Sequence, residues 1–124
     1  MRYLRVLGII ASIAILICTA AAEKNAMGIH DVSRVTFGAP VRVGSTLLPA
    51  GDYLVRHTME GQEHIMVFEF VKTKAVAVKA KCNLVPLTKK ADQTRTVYQM
   101  NASNERVLQE LVIRGDTAKH VFGE

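Results

Sequence analysis

From Asp31 onward the sequence keeps a period of two, and that period is the tightest constraint on what the chain can fold into. Val76, Val78, Ala80, Cys82 and Leu84 alternate with Ala77, Lys79, Lys81 and Asn83. Successive side chains of an extended backbone point to opposite sides, so this is a strand with one apolar face. Val35 and Phe37 alternate with Arg34 and Thr36 in the same way. Turn residues interrupt the pattern at short intervals. Gly38-Ala39-Pro40 ends the first strand. Gly44-Ser45 separates Val41-Arg42-Val43 from Thr46-Leu47-Leu48 as a two-residue hairpin turn, glycine accepting positive φ at its first position. Pro49-Ala50-Gly51-Asp52 and Lys72-Thr73-Lys74 are further turns, and Pro86 closes the alternating strand. Residues 94–100 read as a strand. So do residues 106–114, although Val107, Leu108, Leu111 and Val112 also fit a short helix capped by Ser103 or Asn104 and stopped by Gly115. Gly115-Asp116 then lets Lys119-His120-Val121-Phe122 pair back. Roughly seven to nine short strands with turns every ~8–12 residues predict an all-β fold, a small antiparallel β-sandwich or barrel.

The first 22 residues do not belong to that pattern. Met1-Arg2-Tyr3-Leu4-Arg5 is basic, residues 6–18 carry no charge, Thr19-Ala20-Ala21-Ala22 is small, and Glu23-Lys24 restores charge. Basic, apolar, then small is the layout of a cleavable secretory signal peptide. The apolar run is ~13 residues, short of the ~20 needed to span a bilayer as a helix. Cys18 is a poor lipidation site because bulky Ile17 precedes it. The expected organisation is a signal peptide over residues 1–22, a disordered tail over 23–30 and a single β domain over 31–124, periplasmic or secreted, with no stable membrane span after cleavage.

Cleavage also changes the charge. The full chain of 124 residues carries +5, but loss of Arg2 and Arg5 leaves 14 basic against 11 acidic residues. The remaining lysines are scattered and not interleaved with exposed aromatics, so nucleic acid is not an expected partner. Cleavage removes Cys18 and leaves Cys82 alone, which excludes a disulfide inside the mature chain. A domain of ~100 residues can stand on its hydrophobic core without one.

Catalytic motifs are absent: the sequence has no G-x-S-x-G elbow, no H-E-x-x-H, no phosphate loop and no dinucleotide fingerprint. Cys82 lies on the apolar side of its strand and reads as an inert core residue. His30 and His120, near the chain ends and without visible partners, read as solvent-facing. Tyr53, Phe68, Phe70 and Tyr98 could stack on sugars, but alternation points most of them inward. One segment carries candidate chemistry. If Glu60-Gly61 is a two-residue turn, His57 faces His64, and Met59 and Met66 lie alongside. Two imidazoles on directly opposed positions can share a metal ion, and the thioethers suit copper as Cu(I). A three-residue loop, Met59-Glu60-Gly61, would instead send His64 to the other side of the hairpin; periodicity allows either.

Val35-Thr36-Phe37, Pro40-Val41-Arg42-Val43, Leu48-Pro49-Ala50-Gly51-Asp52-Tyr53-Leu54-Val55 and Leu108-Gln109-Glu110-Leu111-Val112-Ile113-Arg114-Gly115 with Val121-Phe122 resemble the uncharacterised short secreted all-β proteins abundant in acidobacteria and similar soil bacteria. The resemblance implies an extracytoplasmic β-protein without a known substrate, cofactor or catalytic residue. The expected function is a non-catalytic binding or structural module of the cell envelope whose partner is an envelope protein or glycan. A periplasmic copper-binding protein using His57, His64, Met59 and Met66, and a small carbohydrate-binding module, are the alternatives. Expressed with its own leader, the protein should be recovered with Glu23 at its N-terminus; an intact mass that retains residues 1–22 would refute the cleavage reading.

Overall fold

The computed structural model of the protein describes residues 28–123; the expected signal peptide and most of the expected tail lie outside them. The described residues are all-β. The elements are β1 (Val32–Phe37), β2 (Val41–Val43), β3 (Thr46–Leu48), β4 (Gly51–Glu60), β5 (Glu63–Phe70), β6 (Val76–Pro86), β7 (Arg95–Met100), β8 (Arg106–Val112) and β9 (Ala118–Phe122). Residues 106–112 are therefore strand, not helix.

The strands form one mixed sheet in the order β1-β4-β5-β6-β9-β8-β2-β3, with β7 paired to β8, and the sheet does not close into a barrel. Every pairing is antiparallel except β2–β8. Parallel neighbours need a long connection, and here it is everything between Val43 and Arg106. Arg42 fastens this pair from outside the ladder. Its Nε and Nη2 donate to the two carboxylate oxygens of Glu105 at 2.8 and 3.0 Å. Those bonds, and a further one from Asn101, hold the Glu105 carboxyl down to about 2.

Inward-facing residues from β1, β2, β3, β4, β5, β6, β8 and β9 make one cluster, so the sheet curls over a single apolar interior. Phe68 lies at its centre, fully buried, with ring centroids 6.4 Å from Phe37 and 6.1 Å from Phe122. Tyr53 packs against Phe37 and Phe70, and its hydroxyl donates to the Pro49 carbonyl. Outside, Lys79 and Lys81 pair with Glu60 and Glu63. Their stems flank Val67 and Ile65, their cross-strand neighbours.

Three local expectations change. The β4–β5 turn is neither of the two anticipated. Its central residues are Gly61 and Gln62, Gly61 has φ +64°, and Glu60 pairs with Glu63. β4 runs on to Glu60 and β5 begins only at Glu63 because Gly61 takes the first turn position, where positive φ is needed. Val76 does not share the inward face of β6 and is 55% exposed. A bulge shifts the ladder so that Phe68 pairs with Val78 while Glu69 pairs with Val76, and Ala77 packs against the core. Finally, Gly28, Ile29 and His30 are part of the domain: Ile29 is fully buried, and the Gly28 carbonyl accepts from the Thr117 amide at 3.1 Å.

This arrangement puts Phe68 at the heart of the core and Val76 outside it. Phe68→Ala should lower unfolding free energy by about 3–5 kcal/mol through the cavity it leaves. Val76→Asp should stay within about 0.5 kcal/mol of the parent. Urea unfolding of both variants checks the core and the bulge together; a strongly destabilised Val76→Asp would contradict the outward placement.

Candidate functional site

The inward face becomes polar at the end of the sheet nearest the β4–β5 turn. Along β4, Tyr53, Val55 and His57 point inward in succession. Along β5, Met66 and Phe68 do the same, with His64 half-buried beyond them. The observed register sets His57 opposite Met66 and Met59 opposite His64. His57 therefore does not face His64 directly, as the Glu60-Gly61 turn would have required. The two are instead diagonal neighbours on one face, and the turn at Gly61-Gln62 keeps them together. Diagonal positions remain within reach of long side chains. The His57 Nε2 and His64 Nδ1 atoms are 3.0 Å apart, a hydrogen bond in which one ring donates to the other. All four hairpin residues named from the sequence thus occupy one patch: Met66 and His57 are buried, His64 is half-buried, and Met59 at the rim is 46% exposed.

Two histidines expected in solvent are also here. His120 is only 1% exposed and sits 5.8 Å from His57, centroid to centroid, across the curl of the sheet. It points inward because Ala118, His120 and Phe122 are the buried alternating positions of β9. That apolar frame is the sequence signal that could have found it. His30 is partly buried and bonded twice to Asp116. Its backbone amide donates to Oδ1 at 3.0 Å, and its Nδ1 lies 2.6 Å from the same atom. Asp116 is fully buried, and its Oδ2 lies 3.6 Å from His120 Nε2 without a hydrogen bond among the described residues.

Cys82 joins from β6. It is buried, as the alternation implied, directly opposite His64 on one side and Phe122 on the other. Its Sγ is 3.9 Å from His120 Nδ1. Burial pushes the thiol up to about 11, so at neutral pH it is protonated and a poor nucleophile. Burial, followed by the neighbouring His120 and His64 rings, lowers the His57 pKa; Asp31 and Asp116 oppose these effects. His57 is neutral at pH 7 and keeps a lone pair or a donor for its partner.

An open cavity of ≈ 610 Å³ reaches this cluster at the mouth of the curl. Its lining includes Gly44, Ser45, Gln62, His64, Cys82 and Phe122. The aromatics that could have formed a sugar platform lie elsewhere: Tyr53 and Phe68 are buried, and Tyr98 is half-covered beneath the Arg106 guanidinium. Among the described residues, no three His, Cys, Asp or Glu side chains converge on one point as they rest. The chain matches no protein-family model, no curated protein and no solved structure.

The lowered His57 value has a pH consequence of definite sign. An imidazole harder to protonate in the folded state than at its ordinary value of 6.5 leaves the unfolded chain binding more protons below that pH. Its contribution to stability is therefore intact above pH 6.5 and is lost as pH falls through the folded value. His57→Gln should show a shallower acid decline in unfolding free energy than the parent below pH 6.5. Parallel acid limbs in urea titrations at several pH values would contradict this.

Proposed function

We propose that this chain is an extracytoplasmic, non-catalytic binding module of the cell envelope whose ligand is a soft or borderline transition-metal ion, copper first, taken at the His57–His64 pair. The observation that carries the reading is the 3.0 Å separation of His57 Nε2 and His64 Nδ1. Two imidazole nitrogens each ~2.0–2.1 Å from one ion lie about 2.9 Å apart at a right angle and about 3.3–3.4 Å apart at the tetrahedral angle. The hydrogen-bonded pair already has that spacing, so an ion can replace the shared proton with small ring rotations. Met66 lies across from His57 and Met59 across from His64, on the same face. These thioethers supply soft donors where three harder ones do not converge.

Export is supported by the basic, apolar and small-residue order of the first 22 residues. No helix among the described residues is long and apolar enough to cross a membrane. Burial pushes the Cys82 thiol up to about 11, so at neutral pH it stays protonated and a poor nucleophile, which supports binding over turnover.

Native mass spectrometry of the exported protein titrated with Cu(I), Cu(II), Zn(II) and Ni(II) tests the reading. One ion per chain is expected, with His57→Ala and His64→Ala each weakening uptake at least ~100-fold, about 2.7 kcal/mol. Absence of stoichiometric uptake of any of the four ions, or uptake indifferent to both substitutions, would overturn it.

A further inference from the structure

We propose that the hairpin pair is the outer half of a single centre whose inner half is His120 Nδ1 and Cys82 Sγ, backed by Asp116, and that this centre takes monovalent copper. The inference rests on the metal reading of the hairpin and extends it to residues the hairpin alone does not include. Four side chains from β4, β5, β6 and β9 form a closed ring of neighbours. His57 meets His64 at 3.0 Å. His64 is directly opposite Cys82 in the β5–β6 ladder. Cys82 Sγ is 3.9 Å from His120 Nδ1. The His120 ring closes on His57 at 5.8 Å. A thiolate ~2.3 Å and an imidazole nitrogen ~2.0–2.1 Å from one tetrahedral ion are about 3.5–3.6 Å apart. The resting Cys82–His120 distance is only a few tenths of an ångström longer.

Asp116 supplies the independent observation. Its Oδ2 is fully buried and lacks a hydrogen-bond partner among the described residues. Leaving such an atom unpaired forfeits its hydration without replacement, and folded proteins rarely do so. Its neighbour is His120 Nε2 at 3.6 Å. An ion bound at His120 Nδ1 fixes the remaining ring proton on Nε2, the nitrogen turned toward Oδ2. Carboxylate, imidazole and metal in that order are how ligating histidines are commonly held. A purely structural role for Asp116, tying residues 28–31 to the β8–β9 loop, accounts for Oδ1 and its two bonds to His30. It leaves Oδ2 unexplained, and it leaves the Cys82–His120 and His57–His64 contacts unexplained.

Both His64 and Cys82 line the cavity at the mouth of the curl, so an ion has a way in. One thiolate, imidazoles and the thioether of Met66 form a soft set that favours Cu(I) over harder divalent ions. On binding, the Cys82 S–H bond breaks as the S–Cu bond forms, the proton leaves to solvent, and no electron is transferred. His57 and His64 exchange their mutual hydrogen bond for bonds to the ion: the ring that donated it releases that proton to solvent and takes one up on its other nitrogen, so both rings bind as neutral imidazoles.

The test is an anaerobic Cu(I) titration of the exported protein against a competing chelator, followed by ultraviolet absorption. One equivalent should bind with a thiolate-to-copper charge-transfer band. Cys82→Ser, a near-isosteric change, should abolish the band and weaken binding at least ~100-fold, and Asp116→Asn should keep the band while weakening binding ~10–100-fold. Cu(I) bound with unchanged affinity and no band in Cys82→Ser and wild type alike would overturn the inner half while leaving the hairpin reading intact. No Cu(I) uptake at all would remove both. Preference for Zn(II) over Cu(I) in direct competition would overturn the assignment of the ion. If Asp116→Asn does not fold, Cys82→Ser and the band still decide.

Discussion

The ladder between β4 and β5, closed by Gly61 and Gln62, fixes which side of the sheet each later residue occupies. Side chains alternate with period two, so a slip of one residue would carry a whole strand's apolar set to the wrong face. In the observed register, Tyr53, Val55 and His57 enter the interior with Met66, Phe68 and His64. The β5–β6 ladder then carries Cys82 to the same side, and β9 adds His120 and Phe122. The apolar core and the polar cluster are thus two ends of one face, set by the same hydrogen bonds.

Those two ends have opposite energetic characters. Around Phe68 the interior is rings and branched aliphatics, and apolar burial dominates. Around His120 the same interior holds four imidazoles, a thiol and a carboxylate. Buried charge is costly unless paired. The cluster limits that cost by keeping His57 neutral and the Cys82 thiol protonated, and by concentrating its carboxylate on His30 and His120. The arrangement is poorly explained as a device for stability alone, since apolar residues of similar volume would fill the same space without desolvation.

Strands, turns and the apolar face of β6 were legible in the sequence because each is set by neighbours within a few residues. The Gly44-Ser45 turn and the strand character of residues 106–112 follow from that local logic. What was not legible depended on one-residue detail or on distance. The hairpin register turned on where the turn began: the anticipated Glu60-Gly61 turn sits one position too early but keeps His57 and His64 on one face, whereas the three-residue loop would have parted them. The bulge beside Phe68 reversed Val76 without altering the local pattern. At the site, the pairing of His57 with His64 was visible because seven positions separate them. His30 and Asp116 are separated by 86 positions, and Cys82 and His120 by 38. Such contacts arise only from how the sheet curls. His120 left a trace nonetheless, a polar residue framed by buried Ala118 and Phe122.

The place of β9 has a bearing on biogenesis. It is the last strand in chain order, yet it lies between β6 and β8 and supplies the link that joins the two halves of the sheet. Until residue 122 has emerged, β6 and β8 have no strand between them, and neither Phe122 nor His120 can enter the interior. A nascent chain of this sequence cannot complete its sheet early during synthesis. The join between the β1-β4-β5-β6 half and the β8-β2-β3 half is therefore a late, non-local step that waits on residues 118–122.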